Sequence, residues 1–598
     1  MEEVFLRKIV YPDRIKIIQF LISFLLLGCL CSTFWQFDIL DFSFSVYALT
    51  CSVIFVTCIV FVFSLVLKKS LMPKLGWVDA LLFFYVIYNI IRYDFNEQLA
   101  NWRIVLWGLF LVIWVLLRWL RVNRLLSSEC VAWVIVLSCC LQAIWGELQL
   151  YGFCPSNHEQ YVITGSFLNP GPFAGYVAIS FPIALHLSIN NGGYKRWLAF
   201  LSMLVTFSVL PVGMSRSSWV GVLIASCLVL FWQRSLKKYW YIRKRLFIIV
   251  ISLFCILGFV SGIYLFNLKR NSVYGRLFIW ENVYDAVVKH PIVGYGSCSF
   301  PLVYASSQSN KFESGNFSAQ EEKVAGNPEC AFNEYLQMWL EGGIIMPILF
   351  ISIVVICMKQ GLRQKQYGLC GGLISLLCFA FSSYPFQYPS FGIVLCFMLA
   401  GIVELKSSNG SYIISSLVLL ILLFFSVTML SFQSSPQKQI DMWEKCRILS
   451  LKGEKILAIK GYELLYSSLK HSSKFIFEYA QCLSDADEYS RSNELYDRYL
   501  HLQCNSFIYN FIGNNYFKMD QFQLAELYYN KSIHFLPNRI YPYYLLAKLY
   551  ANSQFRNPNK FQEMAHIVLY KNPKVHSRAI EEMREEIRKI AQTNYLPI

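Results

Sequence analysis

Asn271–Phe300 reads NSVYGRLFIWENVYDAVVKHPIVGYGSCSF, and Glu329–Gly343 reads ECAFNEYLQMWLEGG. The two segments bound a polar, charged stretch, Phe266 to Gly343, with an apolar run on either side. Elsewhere before Gln433 the apolar runs follow one another through short connections. Charged groups need water or a partner, so this stretch is where the chain makes room for chemistry.

The rest of the composition sets the class. With 56% hydrophobic, 17% aromatic and only 15% charged residues, and a mean hydropathy of +0.44, the chain is a membrane protein. Runs long enough to cross about 30 Å of hydrocarbon lie at 17–35, 44–67, 76–91, 104–120, 130–148, 170–190, 197–214, 218–233, 246–266, 336–358, 368–384, 388–405 and 411–432. The fold class expected is all-α: a polytopic bundle of about 12–13 transmembrane helices, followed by a soluble helical domain. The first run has no small-residue cleavage site behind it and reads as an uncleaved signal-anchor. The net charge of +16 sits in short clusters between spans rather than on one domain, so no nucleic-acid partner is expected.

Those clusters alternate. Arg7, Lys8, Arg14, Lys68, Lys69, Arg118, Arg121, Arg124, Lys195, Arg196, Lys237, Lys238, Arg243, Arg363 and Lys406 fall on one side, while Arg92, Arg103 and Arg216 fall on the other with the few in the long stretch. The bias puts the N-terminus in the cytoplasm and the loop 267–335 outside a bacterial inner membrane. An odd span count puts the chain after Gln433 outside as well.

The domains expected are residues 1–435, membrane-embedded, and 441–598, helical and soluble. In the second, Gly513 aligns with Ala547 and Tyr516 with Tyr550, each 34 residues on, and Ala525, Tyr529 and Pro537 complete the pattern. These are the offsets at which tetratricopeptide units place small, aromatic and terminating residues, so this part resembles a tetratricopeptide-like array expected to bind protein. Packing on the membrane domain is the plainer alternative. Most cysteines lie within spans as small apolar residues; Cys298, Cys330 and Cys154 share the outer side without a spacing that selects partners. No Cys or His pair has zinc-like spacing, and neither metal nor cofactor is expected.

Four polar features gather on the outer side. Thr164–Tyr176, TGSFLNPGPFAGY, puts Asn169 at a helix start, with Gly171 and Gly175 open to close helix contact; capping and packing also account for it. Gly213–Trp219, GMSRSSW, carries Arg216 with no acidic neighbour in sequence, so it reads either as a snorkelling anchor or as a group facing an anion. Arg276–Gly296 suits an amphipathic helix on the membrane surface through Arg276, Phe278, Trp280, Val283 and Val287, ended by His290-Pro291. In Ala331–Ile344, Asn333, Glu334 and Gln337 stand at the mouth of the next span, with Glu341 one turn deeper.

Taken in order, GSFLNPGPFAGY, SRSSW, RLFIWENVYDAVVKHPIVGYGSCSF and AFNEYLQMWLEGG resemble the O-antigen ligase and polymerase-related membrane proteins, including the bacterial O-oligosaccharyltransferases, over about residues 75–405. The resemblance implies a GT-C-like glycosyltransferase. Its donor would be a glycan on undecaprenyl pyrophosphate, moved without metal to a hydroxyl of lipid A core, of a growing polysaccharide, or of protein Ser/Thr. Arg216 and Arg276 match the family's motif arginines and are expected to clamp the leaving pyrophosphate, as guanidinium groups suit. Asn169, Trp280, Asn333, Gln337 and Glu341 are the substrate-binding candidates. One departure is plain: ligases carry a His immediately before the Asn, where this chain has Phe332. Three readings stay open: Glu334 or Glu329 takes the acceptor's proton, His290 or His158 reaches in, or the good leaving group needs little help. Two other classes also remain, a transporter of lipid-linked glycans and a non-catalytic envelope scaffold working through its repeats.

Overall fold

The computed structural model describes residues 2–36, 38–39, 42–67, 71–94, 101–233, 270–408, 412–433, 437–574 and 576–597; the span read at 246–266 lies outside them. Within these residues the protein is all-α, its strands limited to two-residue antiparallel pairs, Asp38–Ile39 with Phe42–Ser43 and Met72–Pro73 with Ser407–Ser408. In chain order the helices of the first part are α1 Glu2–Cys31, α2 Phe44–Leu67, α3 Trp77–Ile91, α4 Asn101–Val122, α5 Ser128–Leu150, α6 Pro170–Asn190, α7 Gly193–Val209 and α8 Arg216–Trp232. After the undescribed residues come α9 Arg270–Lys289, α10 Phe300–Glu313, α11 Ala319–Val324, α12 Glu334–Gly342, α13 Ile345–Arg363, α14 Tyr367–Ala380, α15 Pro389–Ile402 and α16 Tyr412–Gln433. The remainder is α17 Gln437–Leu451, α18 Lys455–Leu469, α19 Ser473–Asp485, α20 Tyr489–Leu502, α21 Ser506–Lys518, α22 Phe522–Phe535, α23 Tyr541–Ala551, α24 Pro558–Tyr570 and α25 Arg578–Thr593.

Seven segments of the described residues are long and apolar enough to cross a membrane, and four shorter apolar helices accompany them; this is a multi-pass membrane protein. Two spans differ from their sequence reading. The run at 197–214 stops as a helix at Val209, in a turn that ends with Met214 at φ +48°. The run at 336–358 breaks at Gly343, where φ is +64°, so that α12 is a separate short helix and the span begins at Ile345. Such a backbone turn suits glycine, which has no Cβ to strain.

The chain divides into two compact units. The first is Met1–Arg92, Ala100–Gly262 and Phe332–Ser435. Here α6 packs on α5, α7, α8 and α14, and Gly175 lies so close to Phe379 that an added Cβ would fall 2.4 Å from its ring. Gly171 meets no such neighbour, so only one of the two glycines read for close contact has that role. Arg118 and Arg121, read in sequence among the basic clusters of one side, are buried. Arg118 pairs with buried Asp79 at 3.3 Å and donates to the Glu404 carbonyl at 3.0 Å; Arg121 donates to the carbonyls of Ala400 and Val403 at the end of α15. These carbonyls have no partner within their own helix, so the two arginines satisfy groups that burial would otherwise strand.

The second unit is Tyr93–Leu99, Ile263–Ala331 and Pro436–Ile598. The long loop and the C-terminal helices therefore share one core, in which Phe278, Ala305, Phe312 and Ala325 meet Phe535 and Leu536. Gln308 Nε2 donates to the Phe535 carbonyl at 3.0 Å, and Asn538 Nδ2 to the carbonyls of Glu322 and Ala325 at 2.8 and 3.0 Å. Among the C-terminal helices, α21 lies on α22, with Gly513 against the Tyr529 ring, where a Cβ would fall 2.5 Å away.

Removing residues 441–598 strips this apolar cover from Phe278 and Phe312. Limited proteolysis in sealed vesicles should then cut the loop 270–331 much faster than in the full chain. Equal resistance would mean that the loop holds its own fold.

Candidate functional site

The cluster Glu334, Gln337 and Glu341 owes its form to a cap. Asn333 sits at the N-cap of α12 with extended backbone, and its Oδ1 accepts the N–H groups of Tyr335 and Leu336 at 3.0 and 3.1 Å. Phe332, in the left-handed region at φ +52°, turns the chain into the cap and sets its ring edge-on to Tyr384, 5.0 Å between centroids. The helix then carries Glu334, Gln337 and Glu341 at i, i+3 and i+7, one face, and all three are buried.

They line a cavity of about 160 Å³ in the first unit, closed by residues of α3, α4, α12, α13 and α15. Its walls are apolar and aromatic, with Trp102, Trp107, Phe110 and Phe350 among them; its polar groups are Glu334, Gln337, Glu341, Arg103, Asn89, Tyr85 and Gln387. Glu334 Oε1 accepts the Phe386 N–H at 2.7 Å. Gln337 Nε2 donates to Glu341 Oε1 at 3.0 Å, and Arg103 Nη2 to Gln387 Oε1 at 2.6 Å. Glu334 stands ahead of the span Ile345–Arg363. Burial pushes its carboxyl up to about 8; the Phe386 N–H opposes the rise, negative Glu341 adds to it, and the Arg103 guanidinium opposes it more weakly. A carboxyl held this way exchanges a proton near neutral pH, which an ordinary carboxylate does not.

The other candidates stand elsewhere. Asn169 occupies the N-cap of α6 without a side-chain cap bond, and Arg216 is the half-buried first residue of α8; both belong to the first unit but do not line this cavity. Arg276, Trp280 and His290 belong to the second unit. Arg276 lies on α9, Trp280 Nε1 donates to the Ala331 carbonyl at 3.0 Å, and exposed His290 sets its ring against Tyr295 at 4.5 Å. Of the other two possible bases, Glu329 is exposed, and His158 sets its ring at a tilt against Tyr161, 4.7 Å between centroids, and accepts the Gln160 N–H. Among the described residues no group of three or more His, Cys, Asp or Glu could hold a metal ion.

Two sets of residues escaped the sequence reading. Tyr85, Asn89 and Arg103 enter the cavity from spans, and a polar or charged side chain within a span was their only signal. Gln142 and Gln149 of α5 hold the segment ahead of Asn169. Gln149 Oε1 accepts the N–H groups of Thr164 and Gly165 at 2.9 and 2.7 Å, and Gln142 Oε1 accepts the Ser166 N–H at 3.0 Å. Gly165, at φ +57°, lies where a Cβ would strike both Gln142 and Phe173.

These features describe a multi-pass membrane protein whose buried carboxyl groups face a cavity inside its helix bundle. Residues 198–351 match the family described as O-Antigen ligase, a segment that contains Arg216, Arg276, Glu334 and Glu341. The chain is also similar to two curated proteins. One, from Rickettsia conorii and provisionally named a polysaccharide ligase, is 35% identical over 106 residues, covering 17% of this chain and 23% of that protein. The other, an uncharacterized protein of Haemophilus influenzae, is 24% identical over 207 residues, covering 30% of this chain and 48% of that protein. The chain thus spans less than half the length of either relative. The matches support a likeness to the O-antigen ligase family over part of the chain.

Replacing Gln149 by Leu leaves the Thr164 and Gly165 N–H groups buried without acceptors, at a cost of about 1–3 kcal/mol for each. Thermal unfolding of the detergent-purified protein should show a clear loss of stability; an unchanged transition would contradict this account of the clamp.

Proposed function

We propose that the protein transfers a glycan from an undecaprenyl-pyrophosphate donor to a hydroxyl acceptor at the periplasmic face of the inner membrane. The observation that carries this reading is the family match over residues 198–351, which contains Arg216, Arg276 and Glu334. The acceptor oxygen attacks the anomeric carbon and forms the new glycosidic bond. The bond from that carbon to the pyrophosphate oxygen breaks, and its electron pair leaves with the pyrophosphate. Arg216 and Arg276 take up the charge that develops there, for which a planar, always-charged guanidinium is suited. The acceptor's proton passes to Glu334.

The structure's support for Glu334 over the other bases is geometric. It is a buried carboxylate that lines a cavity, with one oxygen fixed by a backbone N–H, whereas Glu329 is exposed. Where ligases carry His, Phe332 is committed to a ring contact with Tyr384, so the base moves two residues along the same cap. Gln337 and Glu341 orient the acceptor beside it, while Asn169, Asn333 and Trp280 serve binding. The C-terminal helices form the tetratricopeptide-like array that recruits a protein acceptor or an assembly partner.

Vesicles loaded with lipid-linked donor test these roles. Arg216→Ala and Arg276→Ala should each lower transfer by about 100-fold or more, with Lys restoring only part. Full activity in both Ala variants would overturn the clamp, and would favour the transporter or scaffold.

A base must be ionised to accept a proton, so transfer should rise with pH and level off above about 8, the value to which burial pushes Glu334. Glu334→Gln should lose about 100-fold and flatten that limb. An unchanged pH profile in Glu334→Gln would assign the proton to another group.

A further inference from the structure

Helix α9 has two apolar sides, and only one is covered by protein. Phe278, Val283, Ala286 and Val287 are buried, Phe278 in the core of the second unit. On the opposite side Leu277, Tyr284 and Val288 are 50%, 54% and 58% exposed, and exposed Ile292 and Val293 continue the line beyond the helix end. At about 100° of rotation per residue, Leu277, Tyr284 and Val288 fall in one narrow sector. Glu281 shares it, but its carboxylate is tied to Lys311 Nζ at 2.9 Å. A continuous apolar line of this kind on the outside of a folded unit marks a contact surface.

The sequence identifies what it meets. Only Asn267, Leu268 and Lys269 separate Arg270, the first residue of α9, from the apolar run at 246–266. Even drawn out straight, that connection reaches roughly 14 Å, so the start of α9 is held at the bilayer surface when the run spans. Cations flank the line: Arg270, its guanidinium 5.6 Å from the centre of the Tyr274 ring, and Lys289 at the other end. Asp285 beside it is the acidic exception. An apolar stripe with basic ends, tethered beside a membrane span, is the pattern of a helix lying in the interface.

We propose that α9 rests on the bilayer through Leu277, Tyr284 and Val288, with Ile292 and Val293, and that lipid occupies this face rather than a second protein. The residues assigned to the membrane surface from sequence, Phe278, Val283 and Val287, are instead buried, Phe278 in the core of its own unit. Arg276, one residue before Leu277, stands about 100° round the helix, in the sector of the buried Val283 and Val287. This inference stands without the proposed transfer reaction.

The full-length protein, carrying the photoreactive residue p-benzoylphenylalanine at Leu277, Tyr284 or Val288, is reconstituted in vesicles of phosphatidylethanolamine and phosphatidylglycerol. Arg578, exposed on α25 of the same unit and away from the line, is the control position. After irradiation, mass spectrometry should find several-fold more lipid adduct at the three stripe positions than at 578. Equal yields, or adducts to another protein chain in place of lipid, would overturn the proposal.

Discussion

A charge inside a helix bundle must be compensated, and the first unit handles two of its buried carboxylates in opposite ways. Asp79 receives the Arg118 guanidinium at 3.3 Å, the Trp114 indole N–H at 2.8 Å and the Gly76 backbone N–H at 2.8 Å. A carboxylate so furnished is fixed, and it joins the start of α3 to α4. Glu334 receives one backbone N–H and faces a second carboxylate in the same cavity. Its ionised form is poorly supported, which suits a group that gives and takes a proton rather than one that holds the fold together.

The surrounding architecture keeps Glu334 in that condition. Asn333 caps α12 and so directs the Glu334–Gln337–Glu341 face into the cavity, while the turn at Gly343 separates this short helix from the span behind it. Aromatic walls limit the water that could solvate the carboxylate. In the second unit the loop segment that carries Arg276 is built onto the C-terminal helices through Phe535, Leu536 and Asn538. This arginine and the C-terminal helices therefore belong to one folded body.

Much of this was legible in the sequence, and the remainder has a common cause. Most apolar runs became helices close to their expected bounds, because about 20 apolar residues in succession leave the backbone little alternative to a helix in hydrocarbon. The spacing of Glu334, Gln337 and Glu341 along one helix was enough to group them. Arg103, Tyr85 and Asn89 were not legible as their companions, since nothing local says which spans pack around α12. The joining of loop and C-terminal helices was hidden for the same reason: Gln308 and Phe535 are 227 residues apart. On α9 the difficulty was different. Residues such as Phe278 and Val288 are equally apolar, and periodicity alone does not tell a side that meets protein from one that meets lipid.

The central claim is that Glu334 is a desolvated carboxyl that exchanges its proton near neutral pH. Infrared difference spectroscopy on the purified protein, comparing wild type with Glu334→Gln across a pH titration, reads that group directly. A protonated carboxyl C=O band that is absent from the variant and disappears near pH 8 is the result expected. A group already ionised in the ordinary carboxylate range would contradict the account.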